Sequence, residues 1–134
     1  MIQRTITFQN VLAAFRALAP DERAKGKYFE RLIQQYLLVD PEYANRLETV
    51  WMWDDFPYRW EGGDIGVDLV AREQDTGEYW AIQAKFYAQN HQIDMQHLER
   101  FIATSSKTFE TETGATRFSQ KLLVATTDKW GKNA

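Results

Sequence analysis

Residues 62–86, GGDIGVDLVAREQDTGEYWAIQAKF, limit what this chain can fold into more than any other stretch does. They predict two β-strands joined by a turn. Residues 65–71 run apolar around a single acid, residues 79–86 alternate, and Asp75, Thr76 and Gly77 between them supply turn chemistry. Side chains along a strand point to opposite faces in turn, so Gln83 and Lys85 share one side while Trp80, Ile82, Ala84 and Phe86 share the other. The polar pair is therefore expected to stand apart from the core face. In the partner strand Asp68 interrupts the apolar series Ile65, Val67, Leu69 and goes with Gly66 and Val70 to the opposite face. Pairing that makes these faces coincide would bring a carboxylate, an amide oxygen and an ammonium to one spot.

The rest of the composition sets bounds on this pair of strands. A chain of 134 residues, 44% hydrophobic and 14% aromatic, fits one domain with a sizeable core. Its net charge of −3 argues against bulk attraction to nucleic acid or anionic membrane, although a local site can bind a polyanion if metal ions supply positive charge. The chain has no cysteine, which excludes disulfides and cysteine-ligated zinc. No apolar run approaches the ~20 residues needed to span a bilayer. The opening MIQRTITFQN lacks the apolar core of a signal peptide, so a cytoplasmic location is expected.

In chain order, Thr7 is a candidate N-cap for a helix carrying Phe8, Val11, Leu12, Phe15 and Leu18, ended by Pro20. A longer helix is predicted over 21–39, with Tyr28, Phe29, Leu32, Ile33, Tyr36 and Leu37 as its apolar stripe. Asp40-Pro41 stops it, because the residue before proline is pushed out of the α region. Residues 42–46 form a turn of helix or a loop, 49–53 (TVWMW) a first strand, and 58–63 a loop into the paired strands. Beyond Phe86 a polar connector precedes a helix from 93 or 94 to about 105, with Met95, Leu98, Phe101 and Ile102 on one face. The stretch KTFETETGATRF has no period and reads as a loop, and 121–127 (KLLVATT) as a last buried strand. The order α, α, β, β, β, α, β predicts an α/β sandwich around a mixed four-stranded sheet, since a strand reached through a helix normally lies parallel to its neighbour. The tail DKWGKNA, with Trp130 just beyond a buried strand, suggests that 1–134 is one domain of a longer protein.

The element order, with Asp68 in GGDIGVDLVA and Gln83 and Lys85 in AIQAKFY, resembles the Mrr-like branch of the restriction-endonuclease-like (PD-(D/E)xK) superfamily. In that branch the second acidic residue of the D…(D/E)xK motif is replaced by glutamine. The resemblance covers nearly the whole chain and implies a three-layer sandwich with core order αβββαβ, preceded here by an extra N-terminal helix. It also implies a glutamate on the helix before the sheet, a position that Glu30 in GKYFERLIQQYL occupies. The run VWMWDDFPYRWEGGDIGVDLVA, the QAK strand and the closing LLVATTDKW are similar to the N-terminal nuclease domains of single-chain (type ISP) restriction-modification enzymes and related helicases. Such proteins continue into a helicase or translocase module and sometimes a methyltransferase, which become expected partners of this domain.

The residue types suit that chemistry. Water attacking a phosphodiester meets a phosphorus shielded by negative oxygens, so a divalent cation is expected, Mg2+ with Mn2+ as a substitute. Asp68 is the anchor ligand, the Gln83 amide oxygen and the Ala84 main-chain carbonyl add neutral oxygens, and Glu30, if its helix packs over the strands, adds a second carboxylate or binds a water of the metal. Lys85 then orients the attacking water or stabilises charge growing on the phosphate, a task that fits a compact ammonium. Asp, Gln and Lys on adjacent strands are commonly no more than cross-strand polar pairs. Against that reading, an aspartate inside IGVDLV and a lysine between Ala84 and Phe86 are costly to bury without partners. A glutamate on an amphipathic helix is usually a solvated residue, and the same holds for Lys25, Lys27 and Arg31, the candidate phosphate contacts. His97 on the third helix is another candidate phosphate contact. Asp64 after Gly62-Gly63 is more often a turn residue, and His91 and His97 lack zinc-ligand spacing. Trp51, Trp53, Phe56, Tyr58 and Trp60 could stack bases, but aromatics leaving a buried strand more often build core.

The expected function is a metal-dependent endonuclease domain acting on double-stranded DNA and addressed by other domains. Two copies would have to meet for a double-strand break. A non-catalytic DNA-binding or docking module of the same fold, and a nuclease for branched or damaged DNA, remain open alternatives.

Overall fold

The computed structural model describes residues 22–60, 66–85 and 95–125. The helix predicted over 7–19, together with Asp64, Phe86, His91 and the tail from 126, lies outside the described residues. Helix α1 (Glu22–Val39) buries Phe29, Ile33 and Leu37, spaced four apart, as one stripe. It ends where expected, and Asp40 starts the next element: its carboxylate accepts from the Glu42 N–H at 3.0 Å and Pro41 opens the one-turn helix α2 (Pro41–Ala44).

Strand β1 (Leu47–Met52) follows two residues earlier than the sequence suggested, and Trp53 passes instead into a 3₁₀ turn (Trp53–Asp55). Strand β2 (Leu69–Glu73) is likewise displaced from the predicted 65–71. Gly66 has φ of +78°, which no extended strand accommodates, so pairing begins only at Leu69 and runs on into Arg72 and Glu73. The turn before β3 (Tyr79–Lys85) forms as expected, with Gly77 at φ +72° and the Glu73 N–H donating to the Glu78 carbonyl at 2.8 Å. Helix α3 (Met95–Ser105) leads to β4 (Phe109–Thr111), β5 (Gly114–Thr116) and β6 (Phe118–Ala125).

The hairpin β4–β5 corrects the expectation of a loop over KTFETETGATRF. Its strands are three residues long and present one large apolar side chain, Phe109, so no period-two pattern could develop. What holds it is Phe109 packed on Phe118 with ring centroids 4.8 Å apart, together with a turn in which the Thr111 hydroxyl donates to the Gly114 carbonyl.

The central sheet has the order β1-β2-β3-β6, the first three antiparallel and β6 parallel to β3. Each face carries its own core. On one, α1 covers Val50, Met52, Leu69, Ala71, Trp80, Ile82 and Ala84. On the other, Val67, Val70, Tyr79 and Ala81 meet Phe56, Phe101 of α3, Phe109 and Phe118. Helix, sheet, and helix with hairpin form the expected three-layer sandwich. Trp80, Ile82 and Ala84 share one core without Gln83, as expected, but the opposite face of β3 is covered as well, so Gln83 is 3% exposed.

Candidate active site at the end of the central hairpin

The β2–β3 ladder closes at the pair Leu69–Ile82, and Asp68 lies just past it. Its main chain is held from both sides, the N–H donating to the Ile82 carbonyl at 2.9 Å and the carbonyl accepting from Trp53 N–H at 3.0 Å. Its carboxylate then accepts from the Ala84 N–H at 2.8 Å. A continued strand would have offered a main-chain carbonyl there. The side chain thus takes over the ladder and sets a negative charge beside residues 83–85, in a charge-assisted bond that fixes its position. Within a strand a residue's N–H and C=O point toward the same edge, so the Ala84 carbonyl is directed to the Asp68 side as well.

Gln83 donates from Nε2 to the Gly66 carbonyl at 3.2 Å, which turns its amide oxygen away from that carbonyl. The contact involves the residue with the positive φ. Gly66 also lies against α3, where an added Cβ would sit 3.6 Å from the Phe101 Cα. Lys85 is half-buried as the last residue of β3.

Glu30 approaches from α1. Gln34, one turn further along the same helix face, donates to the Val50 carbonyl at 2.9 Å and pins the helix on β1. The Glu30 side chain is 19% exposed, with the Lys27 ammonium 3.7 Å away. Burial first, and then the Asp68 charge, raise its carboxyl from 4.5 to about 7, against the smaller opposing pull of Lys27 and Lys85. Glu30 therefore shares an electrostatic neighbourhood with both Asp68 and Lys85.

Asp68, Gln83, Ala84 and Lys85 are thus neighbours at one strand end, and Glu30 on α1 lies in the electrostatic field of Asp68 and Lys85. Arg31 is exposed and His97 half-buried on α3, while Lys27 is occupied with Glu30. The side chain of Lys25 lies outside the described residues. The aromatic run is largely core. Phe56 is fully buried, with Trp51, Trp53 and Tyr58 at centroid distances of 5.3, 5.8 and 5.8 Å. Sequence reasoning missed two contributors, the Ala84 N–H and the Gly66 backbone. A glycine two residues before the key aspartate was the only signal for either.

Among the described residues no three His, Cys, Asp or Glu side chains converge. The donors present are two carboxylates, an amide oxygen and a main-chain carbonyl. That all-oxygen set fits a hard divalent cation that keeps several waters, and it does not fit zinc.

Comparison with known proteins bears on the family and the fold. A family model described as restriction endonuclease matches residues 38–134. Among solved structures, an ATP-dependent type ISP restriction-modification enzyme, LlaBIII bound to DNA, is similar with a TM-score of 0.66 and 29% identity. The match covers 95% of this chain but only 7% of that one. No curated protein matches in sequence. The mixed four-stranded sheet between helical layers, the D…QxK residues at one strand end and the family match over residues 38–134 place the chain in the Mrr-like restriction endonuclease family.

Proposed function

We propose that this chain is a metal-dependent endonuclease domain that hydrolyses phosphodiesters of double-stranded DNA. The observation that carries the proposal is the Asp68 carboxylate held by the Ala84 N–H between Gln83 and Lys85, with Glu30 in its electrostatic field. A bound Mg2+, or Mn2+ in its place, would neutralise phosphate charge and acidify water. Asp68 and Glu30 would hold the cation from two elements, with the Gln83 amide oxygen and the Ala84 carbonyl as neutral oxygens beside them. Lys85 donates hydrogen bonds to the attacking water or to a non-bridging phosphate oxygen, stabilising the charge that grows there.

The net charge of −3 supports dependence on other parts of a longer protein for a grip on DNA and for its address. A translocase and a methyltransferase are the proposed companions, in keeping with the restriction-modification enzyme that the chain resembles. One such site cuts one strand, so a double-strand break takes two copies.

Incubating supercoiled plasmid with Mg2+ or Mn2+ tests the proposal. Nicking by the wild-type protein should vanish in both Asp68→Ala and Lys85→Ala, whereas equal nicking by the variants would exclude this site. A second reading, a DNA-binding module without activity, draws on Gln83, which leaves one fewer negative charge for a cation. Retained DNA binding with no nicking under any divalent cation would favour it.

A further inference from the structure

We infer that the groove between residues 57–60 and β4 is a second nucleic-acid site, one that takes an unpaired stretch of DNA. The inference rests on DNA as the partner of this chain but not on any cleavage by it.

The groove has a volume of about 570 Å³, and its walls include Tyr58, Arg59, Trp60, Lys107, Phe109 and Glu110. Two of these rings form a braced platform. Trp60 packs on Trp53 at 4.9 Å and on Phe109 at 6.0 Å, and Tyr58 on Phe56 at 5.8 Å and on Tyr79 at 6.2 Å, yet both side chains stay half-buried. Rings fixed by the core lose little freedom when a base stacks on them.

Charge points the same way. The chain as a whole is acidic, but this groove is lined by two cations, Arg59 and Lys107, against one carboxylate, Glu110. Arg59 is held beside the platform by its Nη1 donating to the Phe56 carbonyl at 3.0 Å. Lys121, bonded to the Ser106 hydroxyl, adds a third cation next to Lys107. Half-buried rings beside cations suit a single strand, whose bases offer a free face for stacking, better than a duplex, whose bases stack on one another.

The groove is distinct from the proposed cutting site. Its rings pack on Tyr79 and Phe118, the first residues of β3 and β6, while Lys85 ends β3. Six residues of strand span ~20 Å, about six nucleotides at the rise of B-DNA. A strand separated close to the cutting site could therefore reach the groove.

Fluorescence anisotropy with a labelled oligothymidylate of about 12 nucleotides, in EDTA so that nothing is cut, tests the inference. The wild-type protein should bind the oligonucleotide at least ~10-fold more tightly than it binds a blunt duplex of the same length. The double variant Arg59→Gln/Lys107→Ala, with both changes at exposed side chains, should bind it ~10-fold more weakly. Its log–log salt slope should be smaller by ~1.4, the share of two phosphate contacts on a single strand. Duplex bound as tightly as the single strand, or a double variant that binds like wild type, would overturn the inference. Because binding is read in EDTA with no cleavage, and nicking is read separately with Mg2+ or Mn2+, failure of the cutting site leaves this result standing, and the reverse holds too.

Discussion

Glu30→Gln should make the metal-free protein more stable, and by an amount that grows with pH. The Glu30 carboxyl moves from 4.5 to about 7 on folding, pushed first by burial and then by Asp68. A group whose pKa is higher in the folded state binds its proton more tightly there. Its contribution is complete below pH 4.5 and is lost as pH rises through about 7. At 1.36 kcal/mol per pH unit the loss amounts to about 2–3 kcal/mol, allowing for the part of the side chain that meets solvent. Glutamine keeps the shape and does not titrate. Urea unfolding of both proteins in EDTA at pH 5, 6, 7 and 8 gives the difference directly, since every other titrating group is common to the two. The advantage of Glu30→Gln over wild type should widen by about 1.5–2 kcal/mol between pH 5 and 8, the larger part of that loss. A difference that stays constant, or one that shrinks as pH rises, would refute the placement of Glu30 in a half-buried site beside a second carboxylate. A carboxylate that destabilises the fold at neutral pH is what a site kept for binding a cation would contain.

Three further substitutions probe the same architecture. Asp68→Asn preserves an acceptor for the Ala84 N–H and should fold like wild type while losing nicking, whereas Asp68→Ala should also cost ~1–3 kcal/mol in urea unfolding through the orphaned donor. Gly66→Ala meets ordinary contact distances but not an ordinary backbone, so at φ +78° it should lose ~1–2 kcal/mol by the same measurement. Phe56→Ala empties the centre of the second core and should cost ~3–5 kcal/mol, read as a lower urea midpoint at an unchanged slope.

Much of this was legible in the chain because local chemistry and tertiary demand agree in the long elements. The 29/33/37 stripe with Asp40-Pro41 behind it fixed the extent of α1, and the alternation of 79–86 with the Asp75-Thr76-Gly77 turn identified β3 and its partner. Gly66 shows where that agreement ended. From the sequence it fits an apolar strand, but its backbone turns left-handed against α3, so β2 starts later and Asp68 caps the ladder from outside. The burial of Gln83 was hidden for a related reason: its face is covered by aromatic side chains from distant segments, which the pattern of one strand cannot report. The β4–β5 hairpin owes its existence to Phe109 joining that same cluster, and nothing in three residues of strand announces it. The pattern of Asp68, Gln83 and Lys85 was readable as a candidate site, whereas the raised carboxyl of Glu30 needed the helix in place.

The central claim is that Asp68 anchors a divalent cation at the end of β3, and Mn2+ binding to the metal-free protein, followed by isothermal titration calorimetry, addresses it most directly. The account predicts one Mn2+ per wild-type chain and binding at least ~10-fold weaker in Asp68→Asn, which removes the charge and keeps the hydrogen bond. Equal affinity in the two proteins would contradict it.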